Sequence, residues 1–171
     1  MSVTSRLPDP TLDRLLGHMA WANARVFEWL RELPDAALAE SAPGSDWNVA
    51  AILDHIVSGA GGYAARLEGT PRPPPPTPTK AVAQLPALAA ACADYDARLR
   101  NAATVPEGIV AYESRGLTMR RARSTILGQS IHHATEHRAQ IAGALAANGK
   151  DVIDLDAIDV WSYGDAEGLG S

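Results

Sequence analysis

Cysteine is nearly missing: Cys92 is the single thiol in 171 residues. No intramolecular disulfide can form, and a reducing, cytoplasmic setting is the expectation. No stretch reaches the roughly 18 consecutive apolar residues of a membrane span. Met1 to Pro10 lacks the apolar run of a secretory signal, so none is expected. An excess of basic charge is also missing. The net charge is −5, which opposes the electrostatic footprint of nucleic-acid binding. Only Arg115, Arg120, Arg121 and Arg123 cluster; they read as a solvated hairpin and helix start or as a site for an anionic substrate. Aromatic side chains make up 5% of the chain, which together with abundant alanine favours helices whose backbones approach closely. Repeats at solenoid or propeller periods are not seen.

What the chain does have is apolar residues recurring at three and four. Leu12, Leu15, Leu16, Met19, Val26, Phe27, Leu30 and Leu33 predict an amphipathic helix over Pro10 to Leu33, ended by Pro34. Asn23 falls on its inward side and needs a structural hydrogen bond there; His18 falls with Trp21, Arg25 and Glu28 on the side read as surface. Asn48 is the predicted N-cap of a second helix running to Glu68, with Gly69 beyond its end. Its stripe is Val49, Ile52, Leu53, Ile56, Val57, Ala60, Ala64 and Leu67, and His55 lies off it on one flank. Gly59 and Gly62 sit one and two turns beyond His55, where glycine costs about 0.5 to 1 kcal/mol relative to alanine. They make either a pocket floor or a place of close helix packing.

Pro71 to Pro78 is too rich in proline for a helix and predicts an extended connector inside a single domain of residues 1–171. Thr79 can cap a third helical region to Asn101, with Pro86 either breaking it or sitting in its first turn; Leu85, Leu88, Cys92, Tyr95 and Leu99 face inward. Alternation from Ile109 to Met119 about Gly116 predicts a short hairpin. A fourth helix is expected from a cap at Ser124 to Asn148, closed by Gly149. Asp151 to Tyr163 reads as an acidic docking segment with Leu155, Ile158 and Trp161 packed down, and 164–171 as a frayed tail. Four long amphipathic helices with one proline-rich crossover and a hairpin before the last make an all-α four-helix bundle the expected fold.

The fourth helix carries three of the five histidines, in Ser130-Ile131-His132-His133-Ala134-Thr135-Glu136-His137-Arg138-Ala139-Gln140. His133 and His137 stand on adjacent turns, with Cβ atoms about 6 Å apart, close enough for both imidazoles to reach one ion. His132 and Glu136 share that spacing. At about 100° per residue, however, the apolar stripe of Ile126, Leu127, Ile131, Ala134, Ile141, Ala142 and Leu145 places His133 and His137 at its edge and the other pair nearly opposite. The inward pair reads as candidate ligands or as ordinary polar residues, the outward pair as solvated. Arg138 falls inside the stripe and must be paired with a carboxylate or carbonyls. In a bundle, His55 would join His133 and His137 as a third neutral nitrogen donor to a divalent cation, and Zn, Ni, Fe or Mn fits such a set.

The run His133-x-x-x-His137-Arg138-Ala139-Gln140-Ile141 resembles the C-terminal HxxxHRxQ motif of the DinB/YfiT-like superfamily. Trp21-Ala22-Asn23, and Leu53-Asp54-His55-Ile56 after Asp46-Trp47, resemble its other two landmarks. Ala139 stands where the family usually has glycine, and Gly59 where some members carry an acidic residue. The resemblance implies a four-helix bundle, often a homodimer, with a metal-binding triad at His55, His133 and His137, and structural roles for Asn23, Arg138 and Gln140. It further implies a metal-dependent enzyme in which a low-molecular-weight thiol or water is activated against a small electrophile. The alternative is a non-catalytic, stress-associated metal-binding protein.

Overall fold

The structure, a computed structural model, describes residues 7–168. The chain is mostly helical, with five α-helices and one two-stranded antiparallel sheet among the described residues. None of those helices is long and apolar enough to cross a membrane.

Helix α1 spans Pro10–Arg31. Asp9 caps it by accepting from the amides of Thr11 and Leu12 at 2.8 and 3.2 Å, and Pro10 occupies a first-turn position that has no amide to satisfy. Helix α2 spans Val49–Glu68; the Asn48 side chain accepts from the Ala51 amide, and Gly69 ends the helix at φ 68°. Both ends are as expected, because each cap chemistry is local to the sequence.

Residues 70–80 form an extended connector. Its end is pinned by Asp54, which accepts from the Thr79 amide at 2.9 Å and the Thr79 hydroxyl at 2.6 Å. Thr79 is therefore a tether to α2 and not a helix cap. After a 3₁₀ turn at Val82–Gln84, α3 runs over Leu85–Ala102 with Pro86 in its first turn.

Strands β1 (Ile109–Ser114) and β2 (Leu117–Ala122) pair antiparallel, closing with Ser114 opposite Leu117. The two turn residues, Arg115 and Gly116, have φ of 51° and 75°, the positive values a tight hairpin turn requires at both positions. Helix α4 follows directly over Arg123–Ala147. Ser124 does not cap it. The N-cap position is Ala122, and Glu107, back across the hairpin, accepts from the Ser124 amide at 3.0 Å.

Helices α1 and α2 each pack against both α3 and α4. Between them Leu16, Met19, Leu30, Leu53, Leu99, Ile141 and Leu145 are all but inaccessible to solvent, each contributing about 1.5 to 3 kcal/mol. A polar chain crosses this core. Arg138 Nη1 donates to Asn23 Oδ1 at 2.8 Å, and Asn23 Nδ2 donates to Asp96 Oδ2 at 3.0 Å. Arg138 Nη2 also donates to the Thr135 hydroxyl. Burial pushes the Asp96 carboxyl up to about 6 and the Arg138 guanidinium down to about 10. Cys92 is buried beside Asp96 as a core thiol, its pKa raised by burial and then by the carboxylate.

The C-terminal segment departs from expectation. Ile158 and Tyr163 are buried, but Trp161 is 84% exposed and Leu155 is exposed as well. Gly164 to Ala166 is not frayed: it completes α5, Val160–Ala166, which Asp159 caps through the Ser162 amide; 169–171 lie outside the described residues. This segment also overturns the surface assignment of His18. The ring is buried, its Nε2 lies 2.8 Å from the Ile158 carbonyl oxygen, and Trp21 and Tyr163 flank it. Periodicity within α1 could not anticipate a cover arriving 140 residues later.

Candidate metal centre

His55, on α2, and His133 and His137, on α4, converge on one point, their available ring nitrogens all within 4.8 Å of one another. The His55 and His133 Nε2 atoms are 2.9 Å apart. Two nitrogens held at 2.0 to 2.1 Å by one tetrahedral ion lie about 3.3 Å apart, so this pair needs an adjustment of only a few tenths of an ångström, and the set as a whole, spread over up to 4.8 Å, draws in further around an ion. His132 and Glu136 are exposed and take no part.

The surroundings orient these rings. His137 Nδ1 lies 2.7 Å from Gln140 Oε1. A carbonyl oxygen only accepts, so Nδ1 carries the proton and Nε2 keeps its lone pair, which is how ligating histidines are commonly fixed. Gln140, one turn on from His137, is thus an orienting residue. Trp47 lies nearly parallel to the His137 ring at 5.9 Å and edge-on to His55 at 4.6 Å. Tyr63 meets His133 edge-on at 5.5 Å.

Gly59 accounts for how His133 fits. A Cβ on Gly59 would lie 2.5 Å from His133 Cε1, a distance no carbon pair tolerates, so the missing side chain is the space the imidazole occupies. At Gly62 the same test meets Arg72 Nε at 3.3 Å, so the second glycine admits the connector's arginine instead. Close packing is thus the reading that fits Gly59, where the facing helix supplies the occupant, and at Gly62 the space is taken by the connector's Arg72.

Electrostatics favour the neutral donors a cation needs. The His133 pKa is pushed down to about 4, first by burial and then by the neighbouring His137 and His55. That of His55 is lowered by burial, then by His137 and Arg72. His133 is the most enclosed of the three.

The model of the DinB family matches residues 1–163. The chain belongs to the DinB family. No curated protein matches it. In this DinB chain the three landmarks read from the sequence serve one assembly. Asn23 joins the buried chain to Arg138, Trp47 and His55 sit side by side, and Arg138 anchors the helix face that carries His133 and His137.

Three participants escaped the sequence reading. Asp96 lies four residues beyond Cys92 and three before Leu99, inside the inward stripe, and that position was its signal. Tyr63 stands two turns beyond His55. Arg72 had no signal at all, because a proline-rich connector has no periodicity to say which way a side chain turns.

Proposed function

We propose that this DinB protein is a metal-dependent enzyme acting on a small electrophile, with a low-molecular-weight thiol or water as nucleophile. The observation that carries this is the ligand count. His55, His133 and His137 are placed to hold one divalent ion, Zn, Ni, Fe or Mn, and no Asp, Glu or Cys among the described residues completes the set, leaving positions for reactants as catalytic sites do. A bound ion supplies positive charge that lowers the pKa of a thiol or water and polarises a carbonyl.

The protein's own groups then do three things. Gln140 holds the His137 ring with Nε2 inward. Trp47 and Tyr63 flank two sides of the triad with aromatic rings. Gly59 makes the room that the His133 ring fills, which lets α4 bring its two histidines against His55 on α2.

We take the packing of α1 to α4 as a four-helix bundle, the exposed apolar residues Leu155, Val160 and Trp161 as part of a homodimer contact, and the unpaired buried Cys92 as a sign of a cytoplasmic setting.

The test is turnover of small electrophiles with a panel of low-molecular-weight thiols, before and after chelation. The proposal predicts activity that chelation abolishes while helicity persists. A protein that loses its fold on chelation and turns over nothing would instead have a structural ion.

A further inference from the structure

Beyond the triad, α2 meets the hairpin and the start of the connector in an open groove of about 830 Å³, within the size range of small-molecule sites. Its charge is opposite to that of the chain as a whole. Arg66, Arg72 and Arg115 line it, with Glu113 as the one acidic residue in the lining, on a chain of net charge −5. Among the described residues none of these arginines pairs with a carboxylate within 4 Å, and Glu113 is bonded to the Thr118 hydroxyl.

Two of the arginines are held in place. The Arg66 guanidinium lies over Tyr112 at 4.8 Å and near Tyr63 at 5.5 Å, stacking that fixes its plane but leaves its N–H donors unused. Arg72 reaches back to α2, its Nη2 donating to the Ser58 hydroxyl at 3.0 Å. The groove and the triad share one face of α2. His55, Gly59, Gly62 and Arg66 are spaced 4, 3 and 4 apart, which keeps them on a single stripe. Gly62, under Arg72, is about 10 Å along the axis from His55, and Arg66 is about 16 Å. Tyr63 touches both ends: it meets His133 edge-on and supports Arg66.

We infer that this groove binds the anionic end, a carboxylate or phosphate, of the small molecule whose reacting end meets the triad. The substrate is therefore an organic anion whose acidic group is set apart from the reacting atom along α2. A planar arginine fork binds either oxyanion through paired N–H groups. The inference rests on the proposed function only for what happens at the far end.

The test uses the metal-free, full-length ¹⁵N-labelled chain above neutral pH, titrated with sodium succinate or with sodium phosphate, against sodium chloride at matched ionic strength. Saturable shifts are expected for the amides of residues 58–72 and 111–118, and the tighter of the two probes identifies the preferred oxyanion. Arg72→Gln, on the exposed connector, and Arg66→Gln should each weaken binding about tenfold or more, with unchanged helicity. Shifts that only match those of chloride, or that persist undiminished in both variants, would overturn the inference. Because no metal is present, absence of anion binding is distinguishable from failure of the metal chemistry.

Discussion

The Nε2 atoms of His55 and His133 lie 2.9 Å apart although 78 residues separate them in the chain. That approach depends on Gly59, whose missing Cβ is the space filled by the His133 ring. Gly59→Ala should therefore weaken metal binding by about tenfold or more, since displacing one of three ligands costs at least about 1.4 kcal/mol. The metal-free protein should be no less helical, because alanine favours a helix by about 0.5 to 1 kcal/mol. Isothermal titration of Gly59→Ala beside Gly62→Ala separates the two glycines, the second being expected to keep wild-type metal affinity.

Gly143 offers the converse. Nothing lies within 4 Å of a Cβ built there, and the residue is exposed on α4. Gly143→Ala should raise stability by about 0.5 to 1 kcal/mol, measured by urea unfolding, without altering metal affinity.

The buried chain Asn23, Asp96 and Arg138 makes a different prediction. Removing its cation leaves the Asn23 carbonyl without its donor and the buried Asp96 carboxylate without the nearby positive charge, and breaking up such a buried group costs about 3 to 5 kcal/mol. Arg138→Met should destabilise the fold on that scale. In Arg138→Met/Asp96→Leu, which removes both charges, much of the loss should be recovered. Equal losses in the single and double variants would show that Asp96 and Arg138 are uncoupled.

The ends of α2, the apolar periods and the hairpin turn were legible because their causes are local. Asn48 and Gly69 bound α2 through their own side chain and backbone, and Gly116 marked the hairpin through a turn geometry few other residues adopt. The triad was legible because two histidines four apart share a helix face and the landmark around His55 resembled that of a known family. What was hidden depends on distant partners. His18 is buried by Ile158 and Tyr163, Ser124 is met by Glu107, and Thr79 is held by Asp54. Trp161 misled in the other direction, since a large apolar residue in a docking segment reads as an anchor but stands 84% exposed.

Acid stability of the metal-free protein carries two opposed contributions. The His133 pKa falls from 6.5 to about 4 on folding, and those of His18 and His55 move in the same direction. The unfolded chain then takes up protons that the fold refuses, so this stability is complete above 6.5 and is lost as pH falls towards 4. The Asp96 pKa rises from 3.8 to about 6, so the fold holds a proton that the unfolded chain has released, and stability increases as pH falls through that window. Wild-type melting temperature should decline only gently between pH 6 and 4. In Asp96→Asn the decline should be steeper, and in His133→Gln shallower or reversed; the opposite ranking would contradict the assignment of these shifts.

The central claim is that His55, His133 and His137 form one metal site. Its most direct test is elemental mass spectrometry on untagged protein, comparing wild type with His55→Ala, His133→Ala and His137→Ala and with His132→Ala as the control. The account predicts about one equivalent of a divalent transition metal, retained in His132→Ala and lost in each of the other three. Metal absent from wild type even after reconstitution, or retained when any member of the triad is removed, would contradict it.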